Sequence, residues 1–188
     1  MDTAVRCCCG CSDMNLPEEI AQLQGRLQRA GGRAVSIATA ESATAGRIAD
    51  QLTGAPGASD YFLGGIVAYS NDAKMQLLGV SQSTLDQVGA VSARVACEMA
   101  DGGRAVLGAT VCVSDTGIAG PGGATANKPV GLFFVGIATA EGSTARELRF
   151  NGDRTSNKEA AARACLTLLR DYLLQCCEAT GANDDDSV

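Results

Sequence analysis

A chain of 188 residues has room for one domain of ordinary size, because compact domains cluster near ~100 to 150 residues. Hydrophobic residues make up 46% and charged residues 19%, enough apolar surface to offset chain entropy, which excludes disorder throughout. The net charge is −6, half of it from Asp184, Asp185 and Asp186, and no Lys/Arg run offers the phosphate footprint of a nucleic-acid binder.

Residues 1–14 read as a disordered Cys-rich extension, 15–178 as the single domain, and 179–188 as a solvated acidic tail. Asn15, Pro17, Glu18 and Glu19 supply a cap, a proline and first-turn acids for a helix with Ile20, Leu23 and Leu27 on one side, ending at Gly31-Gly32. Arg33 to Ala40 predicts a strand that runs through Glu41-Ser42 straight into an Ala-rich helix ending near Thr53. After the turn cluster 54–59, Tyr61 to Tyr69 reads as a strand, Asn71 to Leu78 as a short helix, and Ser92 to Leu107 as a longer one. Thr110 to Ser114 is a short buried strand, and Asp115 to Pro129 is too rich in Gly and Pro for regular structure. Val130 to Ala140 and Ala145 to Phe150 predict a hairpin turning at Glu141-Gly142, and Asn157 to Cys177 an amphipathic helix. This order argues an α/β class: helices on both faces of a mixed sheet.

The longest apolar run, Val130 to Ala140, is well short of the ~20 residues of a membrane-spanning helix. No apolar leader segment precedes the cysteines, so a reducing, cytoplasmic setting is expected. Cys7, Cys8, Cys9 and Cys11 crowd together; a metal site, S-acylation that would tether the chain to a membrane, and an inert tail are the three readings of that cluster.

Histidine is absent, so imidazole-based triads, Cys-His dyads and His-containing zinc sites fall away, and any base must be Lys, Tyr, a carboxylate or a terminus. Three segments could carry chemistry: 38–47 (ATAESATAGR), 68–74 (AYSNDAK) and 116–131 (TGIAGPGGATANKPVG). Ser42, at a strand-to-helix junction, is either an N-cap or a hydroxyl aimed at the carboxyl edge of the sheet with amides nearby to hold an oxyanion. Lys74 lies in the first turn of its helix, where the dipole disfavours a cation. It is either exposed or tuned, and a working base needs a shift of ~3 pH units, more than a dipole supplies without desolvation. Tyr69 either relays a proton or packs. Gly117, Gly120, Gly122 and Gly123 with Thr116 form either a surface loop or a nest of backbone amides for an anion. Arg154 either grips a phosphate or pairs with Asp153.

In their order and spacing these segments resemble one family, the carboxy-terminal domain of the CinA (competence-damage-inducible) proteins, which includes nicotinamide mononucleotide amidohydrolases. The family blocks AESCTGG, YSNxAKxxLLGV and TGIAGPGGG with KPVG read here AESATAG, YSNDAKMQLLGV and TGIAGPGGATANKPVG, and the similarity runs from about Leu23 to Leu173. The resemblance implies a three-layer α/β/α sandwich with a mixed sheet, anticodon-binding-domain-like, assembled as a homo-oligomer. It implies hydrolysis of the carboxamide of nicotinamide mononucleotide to nicotinate mononucleotide and ammonia, with no metal or other cofactor. On that likeness Ser42 is the nucleophile, Lys74 its base, Tyr69 an orienting or catalytic group, Thr116 a substrate-contacting hydroxyl and Arg154 the phosphate ligand. Backbone amides near Thr44 to Gly46 would hold the oxyanion, and the glycine loop the ribose and phosphate.

Two positions depart from the pattern. Ala43 stands where Cys is common and Ala45 where Gly is usual; an alanine forced to positive φ costs of order 1 to 2 kcal/mol or shifts its loop. A catalytically impaired nucleotide-binding module, or an amidase for a related pyridine nucleotide, is the alternative. The residues ahead of the first strand are too few for the amino-terminal, molybdopterin-binding-like domain of full-length members, whose chemistry is not expected here.

Overall fold

Five strands form one mixed sheet in the computed structural model, which describes residues 15–31 and 34–182. β1 (Ile37–Glu41) pairs in parallel with β2 (Phe62–Val67) and with β3 (Val111–Gly117); β3 pairs antiparallel with β4 (Leu132–Thr139), and β4 with β5 (Gly142–Arg149). The order is β2-β1-β3-β4-β5. Connection type decides direction. Helical crossovers return the chain parallel, as they do between β1 and β2 and between β2 and β3, whereas connections without a helix, the long loop 118–131 and the tight turn before β5, return it antiparallel.

Helices α1 (Leu16–Arg29), α2 (Arg47–Thr53) and α6 (Arg154–Thr180) cover one face, and α3 (Asn71–Leu78), α4 (Gln82–Val88) and α5 (Ala93–Leu107) the other. The period of two sorts β1 between them: Ile37 joins Val111, Val113 and Leu169 of the first core, while Ala38 and Ala40 join Met99 and Val95 of the second. Being covered on both sides, β1 is buried at every position. The three-layer α/β/α architecture with a mixed sheet is therefore the one expected.

Several boundaries differ, each for a local reason. Asp115, Thr116 and Gly117, expected in the loop, extend β3 because they pair with Val135, Phe134 and Phe133. The chain does not pass from β1 directly into a helix: residues 42–46 intervene, and α2 starts at Arg47. α4 was not anticipated, although Ser81 caps it by accepting from the Thr84 amide at 3.1 Å. α6 begins at Arg154, three residues early, because Asp153 caps it through the Ser156 amide at 2.8 Å.

The boundary expected at 178 falls within α6. α6 runs to Thr180, Gly181 turns left-handed, and Ala182 packs into the first core while its carbonyl accepts from the Arg26 guanidinium at 2.7 Å. Among the described residues no helix is long and apolar enough to cross a membrane, and Cys97, Cys112, Cys165, Cys176 and Cys177 are free thiols. Cys7, Cys8, Cys9 and Cys11, with the tether and metal readings placed on them, lie outside the described residues, as do Asp184 to Asp186.

Candidate active site

β1 crosses over to β2 on one side and β3 lies on the other, so the carboxyl ends of β1 and β3 meet where the strand order reverses, a place where α/β sheets bind ligands. With Ala40 paired to Ser114, the next residues of each strand, Glu41-Ser42 and Asp115-Thr116, stand side by side.

The loop after β1 is built on two buried carboxyls. Asp115 accepts from the amides of Ser42 (2.9 Å), Ala43 (3.0 Å) and Thr44 (3.1 Å). Glu41 accepts from Gly46 (2.7 Å), Ile48 (3.2 Å) and Ala49 (2.9 Å), satisfying the orphan donors at the start of α2. Between them the backbone is left-handed at Ala45 (φ 54°) and Gly46 (φ 93°). The alanine at the glycine position thus keeps the glycine conformation and carries its strain. Ser42 is no N-cap: Gly46 occupies that place and Glu41 does the capping from outside the helix.

Ser42 and Lys74 meet beneath this loop. Lys74 reaches in from α3, whose cap is Ser70 rather than Asn71. Its side chain is 2% exposed, and Nζ donates to Ser42 Oγ at 2.8 Å, to the Ala68 carbonyl at 2.9 Å and to the Tyr69 carbonyl at 3.2 Å. Burial lowers the lysine pKa, and the nearby Asp115 charge pushes it the other way. The exposed reading of Lys74 is excluded. As an amine, Nζ has two hydrogens for the two carbonyls and a lone pair left for the Ser42 proton, the arrangement a general base requires.

Both side chains open into a cleft of about 270 Å³, lined also by Tyr69, Asn71, Thr116, Arg154 and the glycine loop. Thr116 is buried, and its hydroxyl donates to the Ala90 carbonyl at 2.8 Å, so toward a ligand it offers lone pairs. Gly117 is required by close approach: a Cβ there would lie 2.3 Å from the Phe133 ring. Gly120, Gly122 and Gly123 line the outer wall. Among the described residues, the amides of Ala119, Gly120, Gly122 and Gly123 donate no hydrogen bond within the protein. Arg154, at the rim, donates to the Gly120 carbonyl at 2.7 Å and to the Tyr69 hydroxyl at 3.2 Å instead of pairing with Asp153. The Tyr69 side chain is 60% exposed and sits at the mouth; its carbonyl, not its phenol, touches Lys74.

Thr44 and Gly46 are not brought to the cleft. The amides of Ser42 to Thr44 are taken by Asp115 and that of Gly46 by Glu41, so of the oxyanion donors expected near Thr44 to Gly46 those of Thr44 and Gly46 are already occupied, and Ala45 does not line the cleft. Two organising residues escaped the sequence. Asp115 sits at the end of the apolar run Val111 to Ser114, where an acid is out of place, and that was the available signal. Asn157 carried none: fully buried, it donates to the carbonyls of Ala119 (3.1 Å) and Gly152 (2.9 Å) and ties the glycine loop to α6. Among the described residues no three His, Cys, Asp or Glu side chains converge as a metal site.

Residues 19–173 match the family model described as the CinA C-terminal domain. The chain belongs to the CinA C-terminal domain family. It is 54% identical over 134 residues to a CinA-like protein of Salinibacter ruber, and 46% identical over 142 residues to a putative competence-damage inducible protein of Caldicellulosiruptor saccharolyticus. These alignments cover 71% and 76% of the chain but only 32% and 34% of the two relatives, so the chain spans about a third of their length. Among solved CinA-family structures, the competence/damage inducible protein CihA from Agrobacterium tumefaciens superimposes with a TM-score of 0.76 at 36% identity, covering 85% of this chain and 96% of that one. A CinA superfamily protein from Enterobacter cloacae gives 0.78 at 28% identity, covering 92% and 99%.

Proposed function

We propose that this CinA domain is an amidohydrolase that converts nicotinamide mononucleotide to nicotinate mononucleotide and ammonia. The observation that carries the reading is the 2.8 Å contact between Lys74 Nζ and Ser42 Oγ at the floor of the cleft. In a protein without histidine, a desolvated amine beside a hydroxyl is one of few available ways to activate a nucleophile.

Lys74 as amine takes the Ser42 proton while Oγ attacks the carboxamide carbon. The oxyanion falls to the uncommitted amides of the Ala119 to Gly123 loop rather than to the loop after β1. Lys74 returns its proton to the departing nitrogen as the tetrahedral adduct collapses, giving ammonia and a Ser42 ester. Water, deprotonated by the same amine, then releases the acid. Arg154 and the outer glycines would take the phosphate.

Ammonia release from nicotinamide mononucleotide tests the reading. Ser42→Ala should abolish it with the fold retained, and full activity in that variant would refute the assignment. Comparing nicotinamide, its riboside and its mononucleotide reports phosphate recognition. A second reading, a nucleotide-binding module without turnover, draws on Ala45 at φ 54° in the loop that carries Ser42; saturable binding of the mononucleotide with no ammonia would favour it.

A further inference from the structure

The two carboxyls under the nucleophile loop are joined by one hydroxyl. Thr44 Oγ1 contacts Glu41 Oε2 at 2.7 Å and also Asp115 Oδ1. A hydroxyl has a single hydrogen, so it can donate to only one of them. Thr44 donates to Glu41, and the crowding differs at the two bridging oxygens: Glu41 Oε2 also receives the amides of Gly46 and Ile48, whereas Asp115 Oδ1 receives only that of Ser42. The contact with Asp115 is then a hydrogen bond only when Asp115 carries the proton and donates it to Thr44.

Charge gives the same answer. Glu41, Thr44 and Asp115 are all fully buried, and among the described residues no Lys or Arg forms an ion pair with either acid. Two bare carboxylates bridged by one hydroxyl would repel at low dielectric, and one of such a pair holds a proton. The ionisable groups facing Asp115 are Glu41 from β1, Lys74 from α3, and Lys158 and Cys165 from α6. Lys74 is the one joined to the nucleophile.

We propose that Asp115 is a positioning residue for the Ser42–Lys74 pair: it clamps the backbone of Ser42 to Thr44 and holds a proton that it donates to the Thr44 hydroxyl, so that its charge sets how tightly Lys74 holds its own proton. With the proton in place, Lys74 faces a neutral acid and is released toward the amine. When the proton leaves, the carboxylate holds Lys74 as the ammonium. The catalytic consequence rests on the amidohydrolase reading; the titration does not.

The test is a titration of the full chain, without substrate, carrying isotope-labelled lysine. The three lysines are Lys74, Lys128 and Lys158, and Lys74→Met assigns the signal. Wild type should show the Lys74 inflection plus a smaller one in the acidic range where Asp115 titrates. In Asp115→Asn, a neutral near-isostere, the main inflection should fall by on the order of one pH unit and the smaller one vanish. Thr44→Val, which cuts the bridge and leaves the three amide contacts, should displace the smaller inflection. Coincident Lys74 curves in wild type and Asp115→Asn would overturn the proposal. Should Asp115→Asn not fold, a wild-type curve without the smaller inflection, or one unchanged in Thr44→Val, would overturn it too. Absence of ammonia release would sink the amidohydrolase reading and leave this result standing.

Discussion

Arg154 spans the mouth of the cleft, one guanidinium nitrogen on the Gly120 carbonyl and the other on the Tyr69 hydroxyl. The phenol therefore serves the rim, not the Ser42–Lys74 pair. Tyr69→Phe should leave kcat within about threefold of wild type and act through KM, because the group it removes is remote from the reacting atoms. Arg154→Lys keeps the charge but loses the fork, and should raise KM for the mononucleotide by about tenfold or more with little change for the riboside. Steady-state kinetics on both substrates checks this; a kcat collapse in Tyr69→Phe would return the phenol to the chemistry.

Lys74→Met fills the same space without the amine. Ammonia release should fall by about 10² to 10⁴-fold. Stability should respond with a definite sign. Burial lowers the native pKa of Lys74, so the native state binds its proton less tightly than the unfolded chain, and the resulting penalty is present at neutral pH and relieved as pH climbs toward the unfolded lysine value of 10.5. The stability of Lys74→Met relative to wild type should therefore decline between neutral pH and that value. Denaturant midpoints at the two ends measure the trend, and a rising difference would contradict it.

Asp115 carries the opposite dependence in the acid range. Desolvation pushes its carboxyl from 3.8 up to about 6, against the lowering effect of the Ser42 and Thr44 backbone amides. The native state thus holds the proton more tightly, and stability should fall as pH rises from 3.8 to about 6 and level off above. The magnitude is on the order of 3 kcal/mol. Asp115→Asn should remove this slope. Urea unfolding across that window in both proteins decides it, and parallel curves would count against the assignment.

Ala45 invites a simple repair. Ala45→Gly removes a left-handed alanine, worth about 1 to 2 kcal/mol, and gives part of it back as chain entropy in the unfolded state, for a net gain of about 0.5 to 1 kcal/mol. Thermal unfolding should show a higher Tm. An unchanged or lower Tm would mean that the loop, not the residue, sets φ there at no cost.

Much of this was legible in the chain. The alternation of Ile37 to Ala40, the heptad-like spacing of Ile20, Leu23 and Leu27, and the Glu141-Gly142 turn placed the layers correctly, because burial and turn chemistry are local signals. Ser42, Lys74, the glycine loop and Arg154 were also picked out, and they do share one cleft. What escaped was tertiary. Thr44 and Gly46 looked like oxyanion donors until Asp115, from a neighbouring strand, and Glu41, from the start of the same segment, claimed their amides. Likewise β3 outran its apolar run because its continuation is dictated by Phe133 to Val135 on a neighbouring strand.

α6 is a single rod of 27 residues, about 40 Å from end to end at 1.5 Å per residue. Its leading end bears Arg154 and Asn157, which grip the glycine loop, while just past its trailing end Arg26 fastens the Ala182 carbonyl to α1. Arg26→Ala removes the fastening at the far end, while the buried side chains from Ala161 to Cys177 and the grip of Arg154 and Asn157 still hold the helix over the gateway to Ser42.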